Sequence, residues 1–308
     1  MSERIGRRRF IGNVIAAGVA GKLPALVGCS PSTPPLPSGP PASASAPASA
    51  SARRSLTDLV PLGRSGVHVS RLGMGTGMKG WNHQSNQTRL GMEKLTALFR
   101  HAYDRGIRYL DCADQYGSHE YVRNALKYIP REKITILTKT ISRQADDVRK
   151  DLDRFRKELG TDYIDIVLLH CMTEPNWSDR RVGAMDALSE AREKGIIRAH
   201  GVSCHTLPAL TLAAETEWVQ VDLARINPRG VKMDGKPEEV VPVLERMHAR
   251  GAGVLGMKIL GEGTFKGEAI DESLRFVLGH ACVDAFNIGF ESPAEIDDIL
   301  KRAEKILG

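Results

Sequence analysis

The sequence predicts a (β/α)8 barrel, the TIM-barrel form of the α/β class, that covers residues 55–308 and begins with a small β-hairpin. Short aliphatic or β-branched runs alternate with longer segments of helical period, and eight such strand–helix units follow one another. A barrel of this kind needs about 250 residues, which this region supplies. Hydrophobic residues make up 42% of the chain, enough for a substantial core.

The hairpin comes first, at 60–70, where Ser65–Gly66 provides the turn. The helix predicted at 144–159 shows how the later elements are bounded, because its acids come early, its bases come late and Gly160 follows the last turn. The predicted strands are 71–75, 109–111, 134–138, 164–170, 199–203, 219–222, 252–257 and 285–289. The predicted helices lie near 91–105, 119–128, 144–159, 180–194, 207–215, 238–250, 271–279 and 293–306.

An open, doubly wound sheet is the alternative α/β arrangement, and one motif favours it. GTGMKG at 75–80 matches the dinucleotide-binding pattern G-x-G-x-x-G directly after a predicted strand. In that fold the glycine loop opens onto a helix whose N-terminus meets the pyrophosphate. Here the loop continues into WNHQSNQT, which has no helical period. We therefore prefer the barrel.

The charge of the chain is concentrated at its start. The whole sequence has 43 basic and 37 acidic residues, a formal net charge of +6. Residues 1–29 contain 5 of the bases and 1 of the acids, which leaves 38 bases and 36 acids in the remainder. A body this close to balance has no basic footprint, so we expect no nucleic-acid partner.

Residues 1–29 resemble an export leader. Arg7–Arg8 with Phe10 is similar to a twin-arginine signal, and LVGC at 26–29 resembles a lipoprotein box in which Cys29 would be lipidated. Residues 30–54 are rich in proline, alanine and serine and are expected to form a disordered, extended linker. We expect the export machinery to carry the protein to the periplasmic side, where a lipid at Cys29 anchors it to a membrane. A soluble exported form, and a cytoplasmic protein with an unused leader, remain alternatives.

Ionisable side chains follow consecutive predicted strands. Asp111 and Tyr116 come after the second strand, Lys139 lies at the end of the third, and His170 ends the fourth. Since the carboxyl ends of barrel strands meet at one mouth, these side chains are expected to converge there. Taken singly, a buried histidine or a surface lysine is the plainer interpretation. All of them together, at the same ends of consecutive strands, indicate an active site.

These residues carry a family resemblance. GIRYLDCADQYG at 106–117 is similar to the Gly-aromatic-Arg, Asp-Thr-Ala and Tyr-Gly signature of the aldo-keto reductases. Lys139 and His170 fall where that family has its other two catalytic residues, and the resemblance extends over 57–308. It implies a barrel enzyme that reduces an aldehyde or ketone with NAD(P)H. The catalytic set it implies is Asp111, Tyr116, Lys139 and His170.

The chemistry of carbonyl reduction explains these residue types. Hydride addition leaves charge on the carbonyl oxygen, and Tyr116 is the expected proton donor. A free phenol has a pKa near 10 and is a slow acid at neutral pH. We expect the Lys139 ammonium to lower the pKa of Tyr116, with Asp111 holding the lysine charged and His170 positioning the carbonyl oxygen. Asp114 is interpreted as a turn residue only.

The resemblance also implies cofactor contacts. Ser203 and Gln220 match positions that hydrogen-bond the nicotinamide carboxamide, and Cys204 stands where the family has asparagine. Met257 occupies the place of an aromatic residue that stacks on the nicotinamide. Lys258 lies in a segment, 256–263, that resembles the loop covering the pyrophosphate.

The last unit resembles the segment that binds the adenosine ribose. Many family members have lysine and arginine there for a 2′-phosphate, and Gly289 and Glu295 occupy those positions here. Ser292 and the backbone amides at the helix start can still receive a phosphate. From the family we expect NADP(H), with NAD(H) as the alternative.

The substrate pocket is expected to be walled by Trp81 and Trp177, with Arg225 facing an anionic substrate group or bracing its own loop against a carboxylate. We expect no metal, because Cys171, Cys204 and His205 lack the close spacing of metal ligands. The expected partner is a small carbonyl compound and the expected state is a monomer. The alternative function is a cofactor-bound barrel of weak activity that acts as a redox sensor or binding subunit.

Overall fold

The computed structural model describes residues 55–308. The predicted leader with Cys29, and all but the last residue of the predicted linker, lie outside these residues. The barrel prediction is confirmed: eight parallel strands form a closed barrel, and helices surround it. Within the described range, no helix combines the length and the apolar composition that crossing a bilayer requires.

The strands follow the predicted order. A two-stranded antiparallel hairpin comes first and pairs Leu59 with Ser70. The barrel closes because its last strand pairs with its first as well as with the strand before it. The hairpin is β1 (Leu59–Pro61) and β2 (His68–Ser70); the barrel is β3 (Leu72–Gly75), β4 (Tyr109–Asp111), β5 (Thr135–Thr140), β6 (Ile164–Met172), β7 (Ile197–Cys204), β8 (Val221–Arg225), β9 (Gly253–Met257) and β10 (Ala285–Ile288).

The helices pack around the outside of the barrel and bury one apolar face each. In the helix at 145–159 this face consists of Val148, Leu152, Phe155 and Leu159, and Gly160 ends the helix in the left-handed conformation at φ 67°. The helices are α1 (Met92–Asp104), α2 (His119–Ala125), α3 (Ala145–Leu159), α4 (Trp177–Arg180), α5 (Val182–Glu193), α6 (Leu207–Glu215), α7 (Pro237–Ala249), α8 (Glu268–Gly279) and α9 (Pro293–Leu307).

The hairpin closes the amino-terminal end of the barrel. Leu62, Val67 and Val69 are buried in one cluster with the inner barrel residues Tyr109 and Leu137. The turn between the hairpin strands approaches the barrel closely, since a Cβ at Gly63 would lie 2.4 Å from the backbone nitrogen of Gly253. The carboxyl ends of the strands are therefore the end available for chemistry.

One buried acid on β8 has no apparent structural use. Asp222 is fully buried, and neither of its carboxyl oxygens has a hydrogen-bond partner among residues 55–308. Burial, and secondarily the charge of Asp234, raises the pKa of Asp222 well above its ordinary value. A carboxyl whose pKa is raised on folding binds a proton more tightly in the native state, so it lowers stability as the pH rises above its unfolded pKa.

An Asp222→Asn variant is therefore expected to gain stability over the parent as the pH rises, by about 1.4 kcal/mol for each unit by which folding raises the pKa of Asp222, because the amide cannot ionise. The difference should disappear below the pKa of an unfolded aspartate, where the parent carboxyl is protonated in both states. Urea unfolding across this pH range measures it, with the exposed Asp186→Asn as the matched control. A constant difference between Asp222→Asn and the parent would contradict a titrating buried acid.

Candidate active site

Four side chains from neighbouring strands meet at the carboxyl end of the barrel. Asp111 is the last residue of β4, Lys139 lies in β5 and His170 in β6, while Tyr116 ends a single 3-10 turn that follows β4. Lys139 is 1% exposed and forms an ion pair with Asp111. Its ammonium also donates to the carbonyl oxygen of Cys112 at 2.7 Å. This buried ion pair holds the Lys139 ammonium in a fixed position.

The phenol and the imidazole face each other above this pair. Tyr116 Oη lies 3.5 Å from His170 Nε2, and the Lys139 ammonium lies 4.8 Å from the centroid of the Tyr116 ring. Burial, followed by the charge of Lys139, holds the pKa of His170 well below its ordinary value. At neutral pH His170 is therefore an uncharged imidazole that can hydrogen-bond the phenol or a carbonyl oxygen.

The pKa of Tyr116 differs from the sequence-based expectation. Burial, followed by the charge of Asp111, raises the pKa of Tyr116 well above its ordinary value instead of lowering it. Lys139 does not offset these influences, because its ammonium donates to Asp111 and to the carbonyl oxygen of Cys112 and not to the phenol. Tyr116 is accordingly a phenol that keeps its proton until an acceptor is present.

The glycines of GTGMKG form the cradle of the Tyr116 ring. A Cβ at Gly77 would lie 2.2 Å from Tyr116 Cε2, and one at Gly80 would lie 2.5 Å from Tyr116 Cδ1. Any side chain at these positions would displace the ring. Sequence reasoning set this motif aside as a false dinucleotide fingerprint and missed this role; the glycine spacing was the signal that could have revealed it.

A network of charges anchors the turn that carries Tyr116. Asp114 accepts a hydrogen bond at 2.7 Å from Arg154 of α3, so it is more than a turn residue. Arg154 also donates to Glu158, which is bonded to His119, and His119 in turn contacts the hydroxyl of Thr138 beside the active-site lysine. Burial opposes these ionic contacts, yet they hold the pKa of Glu158 below its ordinary value. The network ties the phenol and the lysine to the same helix.

A long pocket starts at this constellation and runs along the mouth. The space between its walls, part of it open to solvent, is about 980 Å³, and the walls are largely apolar. Gly75, Asp111 and Tyr116 line one end, and Glu295 and Asp298 of α9 line the other. Of the predicted cofactor residues, those that line the pocket are Met257, Lys258, Gly289 and Glu295.

The family model of the aldo/keto reductases matches residues 71–276, a span that includes all four clustered side chains. The chain belongs to the aldo/keto reductase family. The sequence-based resemblance is thus confirmed at the level of the family.

Several aldo/keto reductases are similar to this chain. A probable aldo-keto reductase 1 from Glycine max is 29% identical over 241 residues, covering 70% of this chain and 63% of that protein. An NAD/NADP-dependent indole-3-acetaldehyde reductase from Schizosaccharomyces pombe is 28% identical over 165 residues, 51% of this chain and 55% of the relative. These matches span less than two thirds of the curated relatives. The holo structure of an aldo-keto reductase from Bacillus halodurans has a TM-score of 0.65 at 20% identity, covers 80% of this chain and 90% of its own, and supports the fold.

The pocket suits the nicotinamide dinucleotide that aldo/keto reductases use. Its lining extends from Tyr116 at the barrel mouth to Glu295 and Asp298 on α9, and its apolar walls provide surfaces for rings. Two cations line it, Lys258 and Lys266, although Lys258 is already paired with Glu262. The pocket wall has little room for a side chain at Gly289, since a Cβ there would lie 3.0 Å from Gln87 Nε2.

Two residues predicted at the cofactor site, Gln220 and Cys204, lie elsewhere. Gln220 precedes β8, which begins at Val221 and not at 219, so this glutamine lies at the amino-terminal end of the barrel, away from the mouth. Its side-chain oxygen accepts from the backbone of His200 at 3.2 Å. Cys204 is fully buried in the outer core between barrel and helices, and so it does not face the pocket. Alternation of side chains along β7 places it there, one residue after Ser203.

Ser203 remains close to the site. Its hydroxyl oxygen accepts from the backbone nitrogen of Cys171 at 3.0 Å, which fixes the residue that follows His170. Cys171 Sγ lies 3.0 Å from His205 Nδ1. No group of three or more potential metal ligands occurs in the described part of the chain.

The predicted substrate wall is only partly present. Trp81 is 73% exposed beyond the strand that opens the barrel, where a ligand can reach it. Trp177 is fully buried, and its indole donates to the carbonyl oxygen of Ala209 at 3.1 Å, so it belongs to the core and not to the pocket. Arg225 is paired with the buried Asp234, which supports the loop-bracing alternative over an anion-binding role.

Proposed function

We propose that this chain is an NAD(P)H-dependent oxidoreductase that reduces an aldehyde or ketone to an alcohol, with Tyr116 as the proton donor. The observation that carries the proposal is the Tyr116 phenol, 3.5 Å from the imidazole of His170 and in the lining of a pocket that extends to α9. A pocket with apolar walls selects its carbonyl compound by shape more than by a single charged contact.

The residues divide the work at the carbonyl oxygen. When bound, the reduced cofactor supplies the hydride. Tyr116 gives its phenolic proton to the oxygen, and the uncharged His170 donates an N–H at Nε2 to hold that oxygen in place. The Lys139 ammonium, 4.8 Å from the ring centroid, stabilises the negative charge left on the phenol. The cofactor would contact the part of the pocket lining that contains Met257, Lys258 and Gly289.

Turnover with a panel of carbonyl compounds tests the activity. We expect oxidation of NADH or NADPH that depends on an added aldehyde, ketone or quinone. Cofactor binding without turnover on any class would contradict the enzyme and favour a redox sensor or binding subunit. Titration of tryptophan fluorescence with each cofactor, in the absence of a carbonyl compound, shows whether the cofactor binds when no turnover is observed.

We also propose that the reductase is exported and lipid-anchored. Arg7–Arg8, Phe10 and Cys29 support this proposal, and 30–54 would act as the tether. Fractionation of cells is expected to find the parent with the membrane and a Cys29→Ser variant in the soluble fraction. An Arg7→Lys/Arg8→Lys variant should remain in the cytoplasm. An unchanged membrane fraction for Cys29→Ser would rule out the lipid, and a cytoplasmic parent would rule out export.

A further inference from the structure

The far end of the pocket is acidic. The reacting end is fixed by Tyr116, so a dinucleotide whose nicotinamide lies there must place its adenosine at the other end, beside Glu295 and Asp298. This step rests on the proposed function. Asp298 is neutralised by Arg302, which also pairs with Asp271, whereas Glu295 has no basic partner within 4 Å in the described residues.

Two side-chain oxygens of the protein itself accept hydrogen bonds at the start of α9. The N-terminus of a helix ordinarily offers free backbone N–H groups to a phosphate. Here the hydroxyl of Ser292 accepts from the backbone nitrogen of Glu295 at 3.4 Å, and the carboxylate of Glu295 accepts from the backbone nitrogen of Glu291 at 2.7 Å. Glu291 precedes the N-cap Ser292, so the carboxylate bonded to its N–H places a negative charge beside the helix start, where the helix dipole favours it.

A second carboxylate, that of Glu291, adds negative charge beside Glu295. The Glu291 carboxylate accepts from Asn86 Nδ2 at 2.7 Å and so stays beside the start of the helix. The phosphate that distinguishes NADP(H) carries close to two negative charges at neutral pH and would meet these carboxylates at short range. A ribose hydroxyl, in contrast, can donate to a carboxylate, which is the general means by which dinucleotide sites select NAD(H).

We propose that Glu295 makes this reductase selective for NAD(H): its carboxylate receives a hydroxyl of the adenosine ribose and excludes a 2′-phosphate. The family-based expectation of NADP(H) is the competing outcome. Lys266 is the one cation of the pocket lining that has no acidic partner in the described residues, and it is the side chain through which NADP(H) would be favoured.

Equilibrium binding of NADH and NADPH to the full chain, followed by calorimetry or by tryptophan fluorescence, tests this selectivity without reference to turnover. We expect the parent to bind NADH about tenfold or more tightly than NADPH. Glu295→Gln keeps an acceptor for the Glu291 N–H but removes the charge, and it should reduce the ratio of NADH affinity to NADPH affinity. Glu295→Arg should reverse it. Glu304→Gln, at an exposed position of the same helix, is the matched control and should leave the ratio unchanged.

The outcomes separate this inference from the proposed activity. Equal or tighter binding of NADPH by the parent, or a ratio that Glu295→Gln leaves unchanged, overturns the selectivity but leaves a reductase. If Lys266→Gln loses NADPH binding and Glu295→Gln binds both cofactors as the parent does, the selectivity is again overturned. Lys266 is then the residue that determines cofactor choice. Binding of neither cofactor overturns the proposed function and the selectivity with it. Preferential NADH binding without carbonyl turnover supports the selectivity while contradicting the activity.

Discussion

A Tyr116→Phe variant is expected to reduce carbonyl compounds with a kcat lower by about two to four orders of magnitude, the contribution of a well-placed general acid. The variant removes one oxygen and keeps the ring. Since the ring is held by Gly77 and Gly80, its position should not change. The remaining rate would come from the alignment of hydride and carbonyl alone. Steady-state turnover with saturating cofactor measures the loss.

Tyr121→Phe is the matched control for this substitution. Its hydroxyl donates to the carbonyl oxygen of Thr88 at 3.1 Å, outside the active site, so its loss should leave kcat almost unchanged. Cofactor affinity should be similar in both variants and the parent. Because burial raises the pKa of Tyr116, reduction by the parent should fall only at strongly alkaline pH, where the phenol loses its proton. A Tyr116→Phe enzyme as fast as the parent would contradict the assignment of the acid.

The barrel and the four clustered residues could be predicted because both are periodic features of the sequence. Buried parallel strands are short apolar runs, and the polar residues that end such runs fall at one mouth. The pattern was less informative where a strand is short and flanked by apolar residues. The predicted strand at 219–222 began two residues before β8 and therefore included Gln220, which precedes the strand in the structure.

Contacts between distant segments left no periodic signal. Asp114 and Arg154 are 40 residues apart, and nothing in either local sequence announces their ion pair. Trp177 gave a misleading signal, because a tryptophan after a barrel strand suits a pocket wall as well as it suits a core. The pKa of Tyr116 was missed for a related reason: the direction in which the Lys139 ammonium donates depends on the Cys112 carbonyl as well as on side chains. Such geometry is set by packing and not by residue type.

Removal of the Lys139 charge is expected to have the second large effect, on stability as well as on rate. Lys139→Met leaves the Asp111 carboxylate buried with only the Asn287 amide, which donates to it at 3.1 Å. Loss of one partner from a buried ion pair destabilises a protein by about 3 to 5 kcal/mol. Urea unfolding measures this difference. Lys150→Met, at an exposed position on α3, is the control and should change stability by less than about 0.5 kcal/mol.

The pH dependence and a double variant show whether the pair is the cause. Burial already raises the pKa of Asp111, and Lys139 is the main influence that lowers it, so the pKa should rise further in Lys139→Met. The stability of that variant should then decrease as the pH rises from acid to alkaline, because the folded state holds the proton more tightly than the unfolded state. Lys139→Met/Asp111→Asn should recover most of the lost stability, since it buries no uncompensated charge. Its turnover should stay low, because the phenolate formed from Tyr116 would have no cation beside it. A double variant as unstable as Lys139→Met would show that the lysine acts through packing, whereas full turnover would remove Lys139 from the mechanism.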